Sequence, residues 1–473
     1  MRLRVALFNA ADFYQASRFP SLGLGYLVSY LRKYSSFKDV HIIEGSGMAG
    51  LRRLEPDVVG IYSVTQTYEQ ACAIARLIRA EYPRVPIIIG GYHITALPYL
   101  LPELFDIGVL REGEETLKEL LEVIADNGLD PRALAGVRGI AFHDRGQVKV
   151  TEPRAHIRDI DSIPFPARDA FSRTGRGFVS TITSRGCPYK CIFCSSVDFW
   201  GAPRFHSPGY VVDELEEIIR TRGAIHISIW DDLFIAPLPR FEEICALVIK
   251  KKIHKKVSFG CALRSNLVTD KLCASLRGMN VRRVSIGFES GSQKVLDTLK
   301  CGSVTVEQHM KAVELCRAHG IYVTGTFMIG NPGEGREDLQ MTLDLVKRLR
   351  LDGGGVISLA APFPGTRLWE YAKREGLVAS DAQAATIGLM NTDFTDPAHF
   401  KGILLTREVP LDEFFGYARR IQEAANAHFV RGLLRMRIFS VTYLRYLIAR
   451  PRECLALAWY LVKYVARRSS VME

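Results

Sequence analysis

No stretch of these 473 residues reaches the roughly 18 consecutive apolar residues that a membrane-spanning helix requires. The sequence also has no internal repeat and no low-complexity tract. These absences argue against a helical membrane domain, a solenoid and a disordered chain. A disulfide framework is missing too. The ten cysteines stand at 72, 187, 191, 194, 245, 261, 273, 301, 316 and 454, and outside 187–194 they are scattered singly among apolar residues, as in SFGCALRSN. That usage suits buried free thiols in a reducing compartment, so a cytoplasmic location is expected. The opening MRLRVALFNAADFY lacks a small-residue cleavage site, and its apolar run is short; it reads as a first β-strand, not a signal peptide. No G-x-G-x-x-G lies between a strand and a helix, which argues against a dinucleotide.

What is present points to a globular enzyme of two or three domains, with 48% hydrophobic residues and a mean hydropathy of +0.05. The net charge is +11, but residues 431–473 carry nine Lys/Arg against Glu453 and Glu473, a surplus of seven. The excess belongs to the tail, and no nucleic-acid partner is expected.

Residues 1–130 alternate between two periods. LRVALF (3–8), VHII (40–43), DVVGIYSV (57–64) and VPIIIGG (85–91) read as short buried strands, with helical patterns at Leu24/Leu27/Val28/Leu31 and Leu117/Leu120/Leu121/Ile124. This is the signature of a doubly wound parallel sheet, whose ligands bind at the carboxyl ends of the strands. Residues 131–172 read as a hairpin turning at Arg145-Gly146, followed by a Pro-interrupted connector. From 173 to 380 the alternation restarts. Strands are expected at 178–184, 224–230, 257–262, 281–287, 321–329 and 355–360, with a capping box at Thr305/Gln308. Six β/α units give a partial (β/α)6 barrel with its functional groups at the C-terminal mouth. Residues 381–473 read as a helical, basic C-terminal region.

The stretch TSRGCPYKCIFCSS (183–196) holds Cys187, Cys191 and Cys194 in a C-x3-C-x2-C spacing. Thiolates suit zinc or iron–sulfur clusters. A structural zinc site wants a fourth Cys or His, and the nearest candidate is His206, with no second half-motif. A [4Fe–4S] cluster held by three thiolates instead leaves one iron open to a substrate or cofactor. Three loop cysteines without metal, or a zinc-stabilised binding module, are the alternatives.

TSRGCPYKCIFCS resembles the cluster loop of the radical S-adenosylmethionine (SAM) enzymes, and the Asp231/Asp232 pair resembles the variant found in their cobalamin-binding branch. The resemblance implies a [4Fe–4S] cluster on the three cysteines, with SAM chelating the open iron and yielding a 5′-deoxyadenosyl radical on one-electron reduction. Tyr189, Ile192 and Phe193 would shield the cluster. HISIWDDLF (226–234) resembles the segment that binds the amino end of SAM, with Asp231/Asp232 in place of a Gly-Gly-Glu signature. VSIGFESGSQKVLDTLKCG (284–302), GTFMIGNPGE (325–334) and APFPGTRLW (361–369) resemble later strand-end segments. The SAM contacts so implied are Phe193, Asp231, Asp232, Arg264, Glu289, Ser290 and Gly330.

PSLGLGYLVSYLRKY (20–34), PDVVGIYSVTQTYEQA (56–71), IIIGGYHITALP (87–98) and LREGEETLKELL (110–121) resemble the cobalamin-binding domain that precedes the catalytic domain in these enzymes. Thr65, Gln66, Gly90, Gly91, His93, Glu112 and Gly113 are the implied contacts; glycine lets backbone approach a flat ring. The D-x-H-x-x-G motif of many cobalamin proteins is absent, so base-off cobalamin without a His ligand is implied.

The resemblance implies a methyltransferase acting at an unreactive carbon of a small-molecule or lipid-like substrate, supplied with electrons by an external flavodoxin- or ferredoxin-type donor. A radical cyclase, oxidase or rearrangement enzyme is the alternative within the family. tRNA methylthiolation fits poorly, since only Cys72 precedes the cluster motif. The aromatic, Arg-rich segment RMRIFSVTYLRYLIARPRECLALAWYLVKYVARR reads either as helices packed on the barrel or as a peripheral membrane contact.

Overall fold

A computed structural model describes residues 3–13, 20–171, 177–387 and 402–428. The expectations placed on the basic tail, 431–473, lie outside the described residues. Two sheets organise the chain. The first has strands β1 (Val5–Asn9), β2 (Val40–Ile42), β3 (Val58–Tyr62), β4 (Ile87–Gly90), β5 (Ile107–Val109), β6 (Ile140–Asp144) and β7 (Gln147–Val150), in the order β2-β1-β3-β4-β5-β6-β7. β1 to β5 pair in parallel, and their near-continuous Val/Ile runs follow from helices covering both faces. The helix Leu22–Tyr34 buries Leu24, Val28 and Leu31 on one face of the sheet, and Tyr68–Glu81 buries Ile74 and Ile78 on the other. The strand order reverses at β1/β3, the place where ligands sit in such sheets.

The hairpin is not a separate connector. β6 and β7 add antiparallel to β5 and complete the first sheet, with Arg145 and Gly146 at φ 53° and 77° in the turn. β5, only three residues long, escapes a periodicity reading.

The second sheet is built from β8 (Phe178–Thr181), β11 (His226–Ile229), β12 (Ser258–Leu263), β13 (Val281–Glu289), β14 (Tyr322–Ile329) and β15 (Gly355–Leu359). All six are parallel and lie in sequential order, an open partial barrel. A two-stranded ribbon, β9 (Ser184–Arg185) with β10 (Arg204–Phe205), brackets the cysteine loop. The Thr305 capping box forms as expected: Thr305 Oγ1 accepts from Gln308 N at 3.3 Å and Gln308 Oε1 accepts from Thr305 N at 2.9 Å.

The described part of the C-terminal region belongs to the barrel. The helix Leu411–Asn426 lies along the edge strand β15 and buries Phe414, Ala418 and Ile421. Gln422 Oε1 accepts from Ile357 N at 3.2 Å, and Gln422 Nε2 donates to Gly355 O at 3.0 Å. An edge that would otherwise expose its backbone is thereby covered. Among the described residues no helix is long and apolar enough to cross a membrane, and the nine described cysteines are all free.

Candidate active site at the domain interface

The cysteine loop begins where β8 gives way to the ribbon, at the carboxyl end of the barrel strands. Two bonds fix its backbone: Ile192 N donates to Leu299 O at 3.0 Å, and Leu368 N donates to Ile192 O at 3.0 Å. Ile192 is buried, while Cys187, Cys191 and Cys194 are half-buried. Burial raises the thiol pKa of Cys187, and it pushes that of Cys194 up to about 12; Asp232 and the neighbouring cysteines add to both. Thiols so placed give up their protons only against a compensating cation. With Cys191 they make a set of three thiol donors, which fits an iron–sulfur cluster. Among the described residues no three Cys, His, Asp or Glu side chains converge as the ligands of one metal ion would. His206, the fourth ligand that a zinc site would need, is buried in the ribbon, with Nδ1 3.0 Å from Asp161 Oδ1 and its ring 3.9 Å from that of Tyr210.

The two aspartates after β11 have different surroundings. Asp231 is buried and braces the start of the loop: it accepts from Thr183 N and Thr183 Oγ1 at 2.5 Å each and from Ser184 Oγ at 2.8 Å. Its carboxylate is used up inside the protein, contrary to the expectation of a SAM contact. Asp232 is exposed, accepts from Ser196 Oγ at 2.5 Å and faces Cys187 and Cys194. Arg264, at the end of β12, donates from Nη1 to Cys191 Sγ at 3.3 Å and lies 3.9 Å over the Tyr189 ring, while its buried Nε has no partner.

Glu289 ends β13 at a bulge with φ 62° and pairs with buried Lys300 at 3.2 Å. Ser290 departs from expectation: it is fully buried, and its hydroxyl meets Thr342 Oγ1 and Ser292 N, both at 3.1 Å. Gly330 serves packing, since a Cβ there would meet Leu404 and Leu359 at 2.8 and 2.9 Å. Phe193 joins an apolar cluster that crosses the interface, with Leu97 from the first domain and Leu299 and Trp369 from the barrel.

On the first domain, Thr65 and Gln66 follow β3, while Gly90 and Gly91 end β4. Gly91 has φ +116°, and a Cβ there would stand 2.2 Å from Ser63 O, so only glycine fits. A Cβ on Gly90 would meet nothing closer than 3.7 Å, so packing does not demand glycine there. That open cradle fits the close approach of a flat ring. His93 and Thr65 are each other's partners, at 3.3 Å, and both are buried. The His93 ring stacks on Tyr68 at 3.6 Å, and burial lowers its pKa to about 4. The imidazole is thus part of the domain's core. Gly113 sits 3.1 Å, at its Cβ position, from Leu27.

Glu112 is also placed differently from the expectation. It accepts from Arg185 at 2.5 Å, from Arg204 at 2.8 Å and from Ile157 N at 3.0 Å, while Glu114 meets Arg185 at 2.5 Å. All four charged groups are largely buried. Burial alone would raise the Glu112 pKa, but the two arginines hold it below the usual carboxylate range. This cluster joins the REGEE loop of the first domain to the strand that leads into Cys187. Tyr92 adds a second bridge: its ring stacks on Phe199 at 4.0 Å, and it lies near Tyr62, Asp232 and Cys194. Sequence reasoning missed Tyr92, Glu114, Arg185 and Arg204; the one signal was two opposite charges flanking otherwise buried segments.

Comparison with known proteins agrees with this geometry. Residues 181–346 match the radical SAM superfamily and residues 16–121 match the B12 binding domain. An uncharacterised methyltransferase of Pyrococcus horikoshii is 32% identical over 76% of this chain and 80% of its own length. The anaerobic magnesium-protoporphyrin IX monomethyl ester cyclase of Cereibacter sphaeroides is 28% identical over 75% of this chain, which spans only 60% of that relative. Among solved structures, the methyltransferase TsrM from Kitasatospora setae, with cobalamin and a [4Fe-4S] cluster bound, superposes with a TM-score of 0.66 at 20% identity, over 80% of this chain and 76% of that one. The chain belongs to the cobalamin-binding radical SAM enzyme family.

Proposed function

We propose that the chain is a cobalamin-dependent methyltransferase acting at an unactivated carbon of a small-molecule or lipid-like biosynthetic intermediate. One observation carries the reading: the cysteine loop and the glycine edge of β4 lie on two sides of one interface, joined by the Tyr92–Phe199 stack at 4.0 Å. Cys187, Cys191 and Cys194 would hold a [4Fe–4S] cluster; Phe193, Asp232, Arg264 and Glu289 would contact SAM; Thr65, Gln66, Gly90 and Gly91 would border base-off cobalamin. Bound there, these groups supply a 5′-deoxyadenosyl radical for hydrogen abstraction and a methyl group for transfer. The chain does the rest. The exposed Asp232 carboxylate offers an acceptor for SAM's ammonium, and the unpartnered Arg264 Nε–H offers a donor for its carboxylate. The apolar cluster around Ile192 and Phe193 keeps water and stray hydrogen donors from the site.

The 28% identity to a cyclase supports a second reading, radical cyclisation or oxidation with cobalamin as redox partner. Anaerobic reconstitution followed by turnover with SAM bearing a deuterated methyl group separates the two. A labelled methyl in the product is expected; a product that loses hydrogen and gains no label favours the second reading. Cys191→Ala should lose the cluster and 5′-deoxyadenosine formation, whereas Cys261→Ala, in the barrel core, should keep both. SAM cleavage by the Cys191 variant would refute the assignment.

A further inference from the structure

The helix Gln293–Lys300 follows β13 and buries Val295, Leu296 and Leu299. Its last residue is a lysine. At a helix end such a side chain ordinarily runs out to water, where its charge also suits the helix dipole. Lys300 is instead only 5% exposed. A buried ammonium is costly unless it is both paired and hydrogen-bonded. Lys300 Nζ meets both conditions at one place: it donates to Gly287 O at 2.6 Å and pairs with Glu289 Oε1 at 3.2 Å.

Those two contacts fix a strained strand end. Glu289 stands at φ 62°, a left-handed backbone that a non-glycine residue keeps only when its surroundings hold it there. Its carboxylate folds back over Gly287, where a Cβ would collide with Glu289 Oε1. With Oε1 given to Lys300, Oε2 has no partner among the described residues, and the side chain keeps 11% exposure. One carboxylate oxygen is anchored and the other is offered to the site.

The turn after the helix reaches the rest of the site. Cys301 and Gly302, at φ 53° and 66°, reverse the chain. Ser303 Oγ then accepts from Arg264 Nη2 and donates to Lys300 O. Arg264 Nη1 is the group that meets Cys191 Sγ at 3.3 Å. Leu299 O accepts from Ile192 N at 3.0 Å, and Cys301 Sγ donates to Lys190 O at 3.4 Å. Residues 299–303 thus hold the cysteine loop, Arg264 and Glu289 in one frame.

We propose that Lys300 is a positioning residue for SAM: without touching SAM or the cluster, it holds the Glu289 carboxylate in one geometry relative to Arg264 and the cysteine loop. Ser303 does the same for Arg264. The inference rests on the SAM-binding reading above.

The test uses the full chain with its cluster reconstituted anaerobically. It compares wild type with Lys300→Met, Lys300→Arg, Glu289→Gln and the double variant Lys300→Met/Glu289→Gln. Iron and sulfide contents report the cluster, and equilibrium dialysis of SAM reports the site. Lys300→Met should keep its iron and sulfide and bind SAM about tenfold more weakly, and Lys300→Arg, which keeps a charged donor, should regain part of the affinity. The double variant should bind SAM no more weakly than Glu289→Gln, because Lys300 acts through that carboxylate. Wild-type affinity in Lys300→Met, or losses that add in the double variant, overturns the proposal. If Lys300→Met loses its cluster, the double variant, which leaves no buried carboxylate unpaired, decides against Glu289→Gln by the same comparison. Loss of the cluster in the double variant as well marks a purely structural brace and also overturns the proposal. A wild type that takes up no iron and sulfide, or takes them up and binds no SAM, overturns the reading beneath it.

Discussion

Arg185 of the barrel and Glu114 of the first domain are joined by a 2.5 Å ion pair in which both side chains are only 6% exposed. Arg185 also bonds Glu112 at 2.5 Å and lies between the rings of Tyr26 and Trp200, at 5.5 and 5.4 Å. It stands two residues before Cys187, so it fixes the register of the cysteine loop against the domain across the interface.

Removing one partner of such a pair leaves a buried charge without compensation. Arg185→Met should therefore cost about 3–5 kcal/mol of stability. Restoring neutrality with a double variant, Arg185→Met/Glu114→Gln, which keeps the Glu112–Arg204 pair, should recover part of that loss. Urea unfolding of the three proteins measures it; equal stability of Arg185→Met and wild type would show that the cluster does not hold the domains together.

The two glycines at the end of β4 should respond differently. Gly91→Ala sets a Cβ 2.2 Å from Ser63 O at φ +116°, so the first domain should be strongly destabilised. Gly90→Ala meets nothing closer than 3.7 Å and should keep wild-type stability. If a corrin lies on that edge, Gly90→Ala should nonetheless weaken cobalamin binding about tenfold or more, read by absorbance titration. Unchanged binding would move the ring elsewhere.

The aspartate pair offers a second contrast. Asp231→Asn removes an acceptor from Thr183 and Ser184 and should lower the melting temperature, with cluster content falling as the loop loosens. Asp232→Asn, at an exposed position, should leave stability and iron content unchanged and raise the KM for SAM. An unaltered KM would remove Asp232 from the SAM site.

Three buried histidines, His93, His206 and His309, and the half-buried His226 set a pH dependence. Burial depresses the pKa of His93, His206 and His226 to about 4 and of His309 to about 3, from 6.5. Between these values the unfolded chain binds protons that the folded chain refuses. Their stabilising effect is therefore full above about pH 6.5 and is lost as pH falls toward 4. Each contributes up to about 1.4 kcal/mol per pH unit in that window. Urea midpoints at pH 6.5 and 5 should show the loss, and His206→Gln should reduce the slope by about one proton. A slope unchanged in that variant would mean that His206 titrates normally.

The contrast between Asp231 and Asp232 shows where sequence reading stops. Adjacent residues at the end of one strand share a motif, but only packing decides which carboxylate is enclosed by Thr183 and Ser184 and which faces the cysteines. The same holds for Glu112, placed on a ligand-binding loop by its motif and claimed by Arg185 and Arg204 in the fold. Ser290 belongs with these, its hydroxyl turned toward Thr342.

The sequence by itself determined the two β/α repeats, the six barrel strands, the hairpin turn at Arg145-Gly146 and the three cysteines. All are written locally, as period, turn chemistry and short spacing. Tertiary structure alone decided that the hairpin completes the first sheet, that Leu411–Asn426 seals the edge at β15, and that Tyr92, Glu114, Arg185 and Arg204 clasp the interface. These contacts join residues tens to more than a hundred positions apart, and nothing in the local pattern of a chain encodes which distant charge or ring will meet it.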